Sequence, residues 1–184
     1  MALVYSEPVR SFVAPDFCLK STDDQWISLS DFSDRSLLLV MFICNHCPYV
    51  IAIQERLNEL AKKYTSQKVG FIGINSNDAS TYPEDSFEKM KDRAKEQGFV
   101  FPYVQDETQE VAKAYGALCT PDLFLFKKEN DWTLKYRGRL DDSWKDPSKV
   151  TQTDLADAID DLLSGHLIQK EIVPSMGCSL KWKS

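Results

Sequence analysis

The chain has no stretch that approaches the roughly 20 apolar residues of a membrane-spanning helix. Its opening, MALVYSEPVR, lacks a basic region followed by an apolar run and a small-residue cleavage site. These absences make the cytoplasm the expected setting, with no membrane partner. No dense Lys/Arg cluster is found either, and 28 acids against 22 bases leave a net charge of -6, so nucleic acid is excluded as the main ligand. No internal repeat, low-complexity tract or linker divides the sequence. One domain is expected over residues 1–184, with a core over about 10–165 and a tail at 166–184 that trails off. Five cysteines are an odd number at irregular spacing. They do not form a secreted disulfide framework, and in a reducing compartment such thiols are either reactive or structural.

What the chain does contain is enough apolar material for an ordinary core. At 184 residues, with 43% hydrophobic and 27% charged side chains, about two thirds of the unfolded surface can be buried without metals or disulfide staples. Residues 1–36 form a lead-in, where Pro8, Pro15 and a polar turn at 21–25 separate apolar pieces at 17–19 and 26–29 in the pattern of a small hairpin. Residues 37–43, LLLVMFI, are a continuous apolar run suited to a strand buried on both faces. Ile53, Leu57, Leu60, Ala61 and Tyr64 then recur at helical spacing. A second buried strand is expected at 69–75, followed by a helix that Pro83 and Glu84 open and Gly98 stops, with Phe87, Met90 and Ala94 on one side. A short strand at 101–105 precedes a two-turn helix with Val111, Ala112 and Tyr115, closed by Gly116. Residues 122–127 and 132–137 read as a hairpin with Trp132, Leu134 and Tyr136 on one face. Thr153 or Asp154 caps a last helix carrying Leu155, Ala158, Ile159 and Leu162, broken by Gly165. This order predicts an α/β fold, a central sheet mixing parallel and antiparallel strands with helices on both faces. Ligands of such sheets sit beyond the carboxyl ends of the strands, where Cys44 falls.

Cys44, Asn45, His46, Cys47 and Pro48 follow the first buried strand and begin the helix after it. At a helix start, three-residue spacing puts two sulfurs within disulfide reach, and the unpaired first-turn amides and the helix dipole favour thiolate over thiol. A cysteine pKa near 8.5 falls to roughly 3.5–7.5 in such motifs. Cys44 is therefore the expected nucleophile, and Cys47, the more buried, the resolving thiol. Asn45 and His46 set the redox poise, His46 as a donor that stabilises the Cys44 thiolate. Pro48 offers no N–H to the Cys44 carbonyl, so that oxygen stays open to a substrate backbone or water, or the helix kinks. Thr120 and Pro121 stand directly before an apolar strand, a place for proline that either a cis peptide bond or a trans edge position explains.

On these residues the chain resembles the thioredoxin-like superfamily, with strand, CxxC and helix at Cys44 and Cys47 and a Thr-Pro pair ahead of the penultimate hairpin. The likeness covers roughly residues 10–165. It is most similar to the branch shared by thiol-specific antioxidant (AhpC/TSA) proteins and TlpA-type thioredoxins. Ala14-Pro15-Asp16-Phe17 is similar to their early A-P-D-F signature, and Cys47 and Pro121 lie further apart than in a minimal thioredoxin. The resemblance implies a thioredoxin-like fold with an N-terminal hairpin and an inserted helix and strand around residues 83–105. It also implies that Thr120 and Pro121 pack on the cysteine pair and hold the substrate chain. There are departures. Thioredoxins carry a buried acid six residues before the first cysteine, where this chain has Leu38, so another group or water must take the proton of Cys47. The peroxiredoxin pattern P-x-x-x-T-x-x-C, aligned on Cys47, meets Val40 and Cys44 instead of its proline and threonine, and its arginine is replaced by the run Cys119-Thr120-Pro121-Asp122.

The expected function is thiol-disulfide exchange through Cys44 and Cys47 with disulfide-containing protein or small thiol substrates, reopened by an external thiol reductant and needing no bound cofactor. The enzymatic alternative is a peroxiredoxin-like antioxidant in which Cys47 or Cys44 attacks peroxide. The non-enzymatic one is a copper or zinc handling module on Cys44, His46 and Cys47. His166 is the only other histidine, no nearby Cys or His completes a tetrahedral set, and no resident metal is expected. Cys119 and Cys178 are candidates for additional redox thiols, Cys178 from a tail that could resolve an oxidised partner, with structural roles as the alternative. Cys18, Phe12 and Phe17 read as core, and the acids at 141–146 with Asp160 and Asp161 as solvated surface.

Overall fold

The two longest apolar runs of the sequence lie side by side at the centre of a sheet, because neither has a polar face to offer water. The computed structural model describes residues 3–7 and 11–183, so Pro8 of the lead-in lies outside them. In chain order the strands are β1 (Leu3–Tyr5), β2 (Cys18–Ser21), β3 (Trp26–Ser28), β4 (Leu37–Phe42), β5 (Val69–Asn75), β6 (Tyr103–Gln105), β7 (Cys119–Thr120), β8 (Asp122–Lys128), β9 (Trp132–Arg137) and β10 (Met176–Ser179). The helices are α1 (Pro48–Tyr64), α2 (Phe87–Gln97), α3 (Glu110–Tyr115) and α4 (Asp154–Leu163). The main sheet runs β3-β2-β6-β5-β4-β8-β9, with β4, β5 and β6 parallel and the remaining pairs antiparallel.

Strand periodicity sends Leu37, Leu39 and Met41 to the face covered by α1, α2 and α4 through Ile53, Leu57, Met90, Leu155 and Ile159. Leu38, Val40 and Phe42 face the opposite layer with Phe17 and the α3 residues Ala112 and Tyr115. The α/β fold with a mixed sheet, helices on both faces and the β2–β3 hairpin is thus as expected. No helix among the described residues is long and apolar enough to cross a membrane.

Several local expectations are corrected. Pro83 does not open α2: Pro83–Asp85 is a separate 3-10 turn, and extended Ser86 (φ -61°, ψ 153°) breaks the chain before Phe87. Tyr136 does not share a face with Trp132 and Leu134, because Phe126 pairs with Leu134 while Leu125 pairs with Tyr136. This register shift turns Tyr136 into the other core layer. Cys18 is exposed, since β2 alternates and buries Ser21 instead. Asp141 is buried and paired with Arg56 rather than solvated, whereas Asp160 is exposed as expected and accepts from Tyr64 Oη at 2.8 Å.

The tail is the largest difference. It does not trail off: β10 pairs antiparallel with β1 on one side and β7 on the other, setting Cys178 opposite both Leu3 and Thr120. Beyond β10, the Lys181 N–H donates to Asn77 Oδ1 at 2.9 Å, and Lys181 O accepts from Asp78 N at 2.8 Å and Gln109 Nε2 at 2.8 Å. The exposed edge of β7 offers unpaired backbone groups, and the tail satisfies them.

Candidate active site

β4 ends at Phe42, and α1 begins only at Pro48, so Cys44, Asn45 and His46 form a loop and Cys47 is the residue that caps the helix. Pro48 occupies the first helical position, where its missing N–H costs nothing, and the first turn closes with Ile51 N donating to Cys47 O at 2.9 Å. Position beside the first-turn amides therefore belongs to Cys47, one turn later than the sequence spacing assigns it to Cys44. Both sulfurs are buried, Cys44 at 3% exposure and Cys47 at 0%.

Thr120 bridges the pair. The Thr120–Pro121 peptide bond is cis. Thr120 Oγ1 lies 3.4 Å from Cys44 Sγ, and Thr120 O lies 3.1 Å from Cys47 Sγ. The loop is held by an ion pair below it: buried Asp122 accepts from Arg137 Nε at 3.1 Å and Nη2 at 2.7 Å, and from Leu118 N at 3.2 Å.

The two thiols titrate as one unit. A hydrogen bond from Cys44 is the main reason that Cys47 is held at about 5, against an ordinary 9.0; burial opposes it, and donors from Cys178 and Val50 assist. Cys44 is pushed well up, first by burial, then by donating to Cys47 and by the charge of Asp85. The contact of Cys47 with Thr120 O is one that only a thiol can donate, so it is lost on ionisation, but the donors around the sulfur outnumber this single acceptor. The pair consequently holds one negative charge at neutral pH, centred on Cys47. Alkylation of the pair by iodoacetamide should keep its rate down to about pH 5 and then fall about tenfold per pH unit, as the last thiolate protonates. A midpoint at the ordinary cysteine value, read from the same pH series, would contradict this assignment.

The Asn45–His46 segment is anchored by a residue that the sequence did not single out. Asp85, 1% exposed, accepts from Asn45 N at 2.7 Å and from Asn77 Nδ2 at 2.7 Å. His46 Nδ1 lies 2.7 Å from Asp85 Oδ2, an ion-pair distance, but off the line of a ring N–H. The imidazole stacks on Tyr82, with centroids 5.4 Å apart and planes 3° from parallel. Contact with the Asp85 carboxylate raises His46, partly offset by burial. Burial by itself would raise Asp85, but His46, Asn77 and Asn45 together bring it below its ordinary value. Asn45 also donates through Nδ2 to Glu84 O at 2.8 Å and accepts from Tyr103 Oη at 3.0 Å. Asp85 reaches the site because β4 and β5 are adjacent parallel strands, which brings together the loops beyond their carboxyl ends.

Cys178 joins the site and Cys119 stands apart from the pair. Cys178 Sγ is 2.9 Å from Cys47 Sγ. Cys119 Sγ donates to Pro121 O at 3.4 Å, and burial pushes its thiol well up. Ligand atoms of Cys44, His46 and Asp85 lie within 4.8 Å of one another, so the cluster that a copper or zinc module could use has Asp85 where the sequence reading placed Cys47. The two Asp85 oxygens, however, already accept from Asn45 and Asn77.

Comparison with known proteins gives the family and the fold. The sequence pattern of the AhpC/TSA family matches residues 12–135. The thiol-disulfide oxidoreductase ResA of Bacillus thuringiensis subsp. konkukian is 25% identical over 131 residues, 68% of each chain. A crystal structure of an uncharacterized conserved protein from Geobacillus kaustophilus superposes with a TM-score of 0.92 at 45% identity, covering 100% of this chain and 97% of that one. A hypothetical protein from Sinorhizobium meliloti 1021 gives 0.91 at 40% identity over 98% of each. A putative thioredoxin from Neisseria meningitidis, at 21% identity and TM-score 0.55 over 65% of this chain and 77% of its own, shares the thioredoxin-like fold.

Proposed function

Because the chain belongs to the AhpC/TSA family, we propose that it is a thiol-disulfide oxidoreductase working through Cys44 and Cys47. The observation that carries the reading is the buried pair before and at the cap of α1, with Thr120 Oγ1 3.4 Å from Cys44 Sγ and Thr120 O 3.1 Å from Cys47 Sγ. Cys44 is the less covered of the two and meets the incoming disulfide. Its proton passes to Cys47, the partner with which it titrates as one unit, and the Cys44 sulfur attacks one substrate sulfur. The other substrate sulfur leaves as thiolate and takes the proton from Cys47. The Cys47 thiolate then attacks Cys44, releasing the second product thiolate and leaving a Cys44–Cys47 disulfide. Two electrons have moved from the pair to the substrate, and an external thiol reductant restores them. His46, held by Asp85, places a titratable donor beside the pair, where its positive form favours the Cys47 thiolate.

Thiol trapping with peptide mapping, after equilibration in graded glutathione buffers, tests this. One two-electron transition confined to Cys44 and Cys47 is expected, and its midpoint ranks the protein as reductant or oxidant. Full alkylation of both cysteines in the most oxidising buffer would sink the reading. Peroxide reduction at Cys47 is a second reading, favoured by its depressed pKa at the helix cap. Peroxide consumption under a stoichiometric thiol supply separates the two.

A further inference from the structure

β10 lies on the edge of β7 as an added strand would, with Cys178 directly opposite Thr120. Its approach is unusually close: a Cβ on Gly177 would stand 2.1 Å from Thr120 O, so only glycine lets the strand settle there. The result is that Cys178 is presented to Cys47 from β10, buried at 3% exposure, with its sulfur at 2.9 Å. Cys47 therefore interacts with both Cys44 and Cys178, while Thr120 touches both Cys44 and Cys47.

We propose that Cys178 is a third redox thiol of this site and that Cys47 is the hub, passing its disulfide from Cys44 to Cys178. The proposal rests on the exchange reading above. In the step, Cys178 gives its proton to solvent and its sulfur attacks Cys47 in the Cys44–Cys47 disulfide. The Cys47–Cys178 bond forms, the Cys44–Cys47 bond breaks, and the electron pair leaves on Cys44, which takes up a proton. Nothing is oxidised or reduced overall, because the disulfide only changes partner. The surroundings suit the order of events. In the reduced state Cys178 is pushed up to about 12 by burial, then by its hydrogen bond to Cys47 and the charge there. The last two causes vanish once Cys47 enters a disulfide, and Lys181 still favours the Cys178 thiolate. The consequence is a division of labour: Cys44 is returned as a thiol while the oxidising equivalent waits between α1 and β10.

The test is to oxidise the full chain with one equivalent of oxidised glutathione, quench in acid, alkylate the remaining thiols and map linked peptides, in wild type and in Cys178→Ser. Wild type should give Cys47–Cys178 peptides beside Cys44–Cys47 peptides, with part of Cys44 alkylated. In Cys178→Ser, alkylated Cys44 in the oxidised fraction should fall by about tenfold or more. Cys44–Cys47 peptides with Cys178 fully alkylated in wild type would overturn the proposal and leave the exchange reading standing. Cys47–Cys178 peptides with no Cys44–Cys47 species in either protein would support Cys178 as a redox thiol and overturn the CxxC reading. Absence of both disulfides would overturn both. The wild-type map decides the matter by itself if the variant misfolds.

Discussion

Replacing Cys44 by serine should abolish turnover of a small disulfide, with a loss of about a thousandfold or more, because a hydroxyl at this position cannot ionise near neutral pH as a thiol can. Cys47→Ser should behave differently. The first attack survives, so one mixed disulfide per chain accumulates on Cys44, but nothing displaces it. Electrostatics favour this outcome. Two of the influences that raise Cys44, its hydrogen bond to Cys47 and the charge of Cys47, disappear with that thiol, leaving burial and Asp85. Cys44 is then easier to ionise than it is in the intact pair. Whole-protein mass after exposure to a small disulfide reads the adduct, and a coupled turnover assay reads the rate. Retained turnover in Cys44→Ser would refute the assigned roles.

Arg137→Met should destabilise the fold by about 3–5 kcal/mol, the usual cost of stranding one partner of a buried ion pair. Asp122 is 0% exposed and Arg137 6%, and the guanidinium meets the carboxylate through two hydrogen bonds. The same guanidinium donates to Gly116 O at 2.8 Å and lies 4.4 Å from the centroid of Phe124, so its loss also leaves a carbonyl without this donor. Burial raises the Asp122 carboxyl, and Arg137 only partly offsets that. Without Arg137 the native state must hold an unpaired charge or a proton. Since the folded pKa is raised above the unfolded value, the native state binds the extra proton, and the defect should be full near neutral pH and shrink on acidification. Urea unfolding at two pH values, with unchanged m-values, measures both effects. A loss below about 1 kcal/mol would mean that the pair is no more than a surface-type contact.

The chemistry was more legible than its surroundings. CxxC after a buried strand and Thr-Pro before another could be read because each depends on residue type and spacing along the chain. The neighbours of the motif could not. Asp85 lies 41 residues beyond Cys44 in a turn that looked like the start of a helix, and its role appears only where the loops after β4 and β5 meet. Tyr82 and Asn77 enter the site for the same reason. Tyr136 was misplaced because a register shift leaves no periodic trace in a six-residue strand.

By itself, then, the sequence determined the α/β class, the order of the central elements and the place of the CxxC and Thr-Pro motifs at their strand ends, since these follow from apolar period, helix punctuation and local spacing. Tertiary structure alone decided which sulfur bears the charge, what anchors His46, and that the last strand returns to Thr120 with Cys178 beside Cys47. Those outcomes depend on contacts between segments up to 131 residues apart in the chain. Burial, hydrogen-bond donors and strand edges act through space, and a pattern read along the chain carries no record of them.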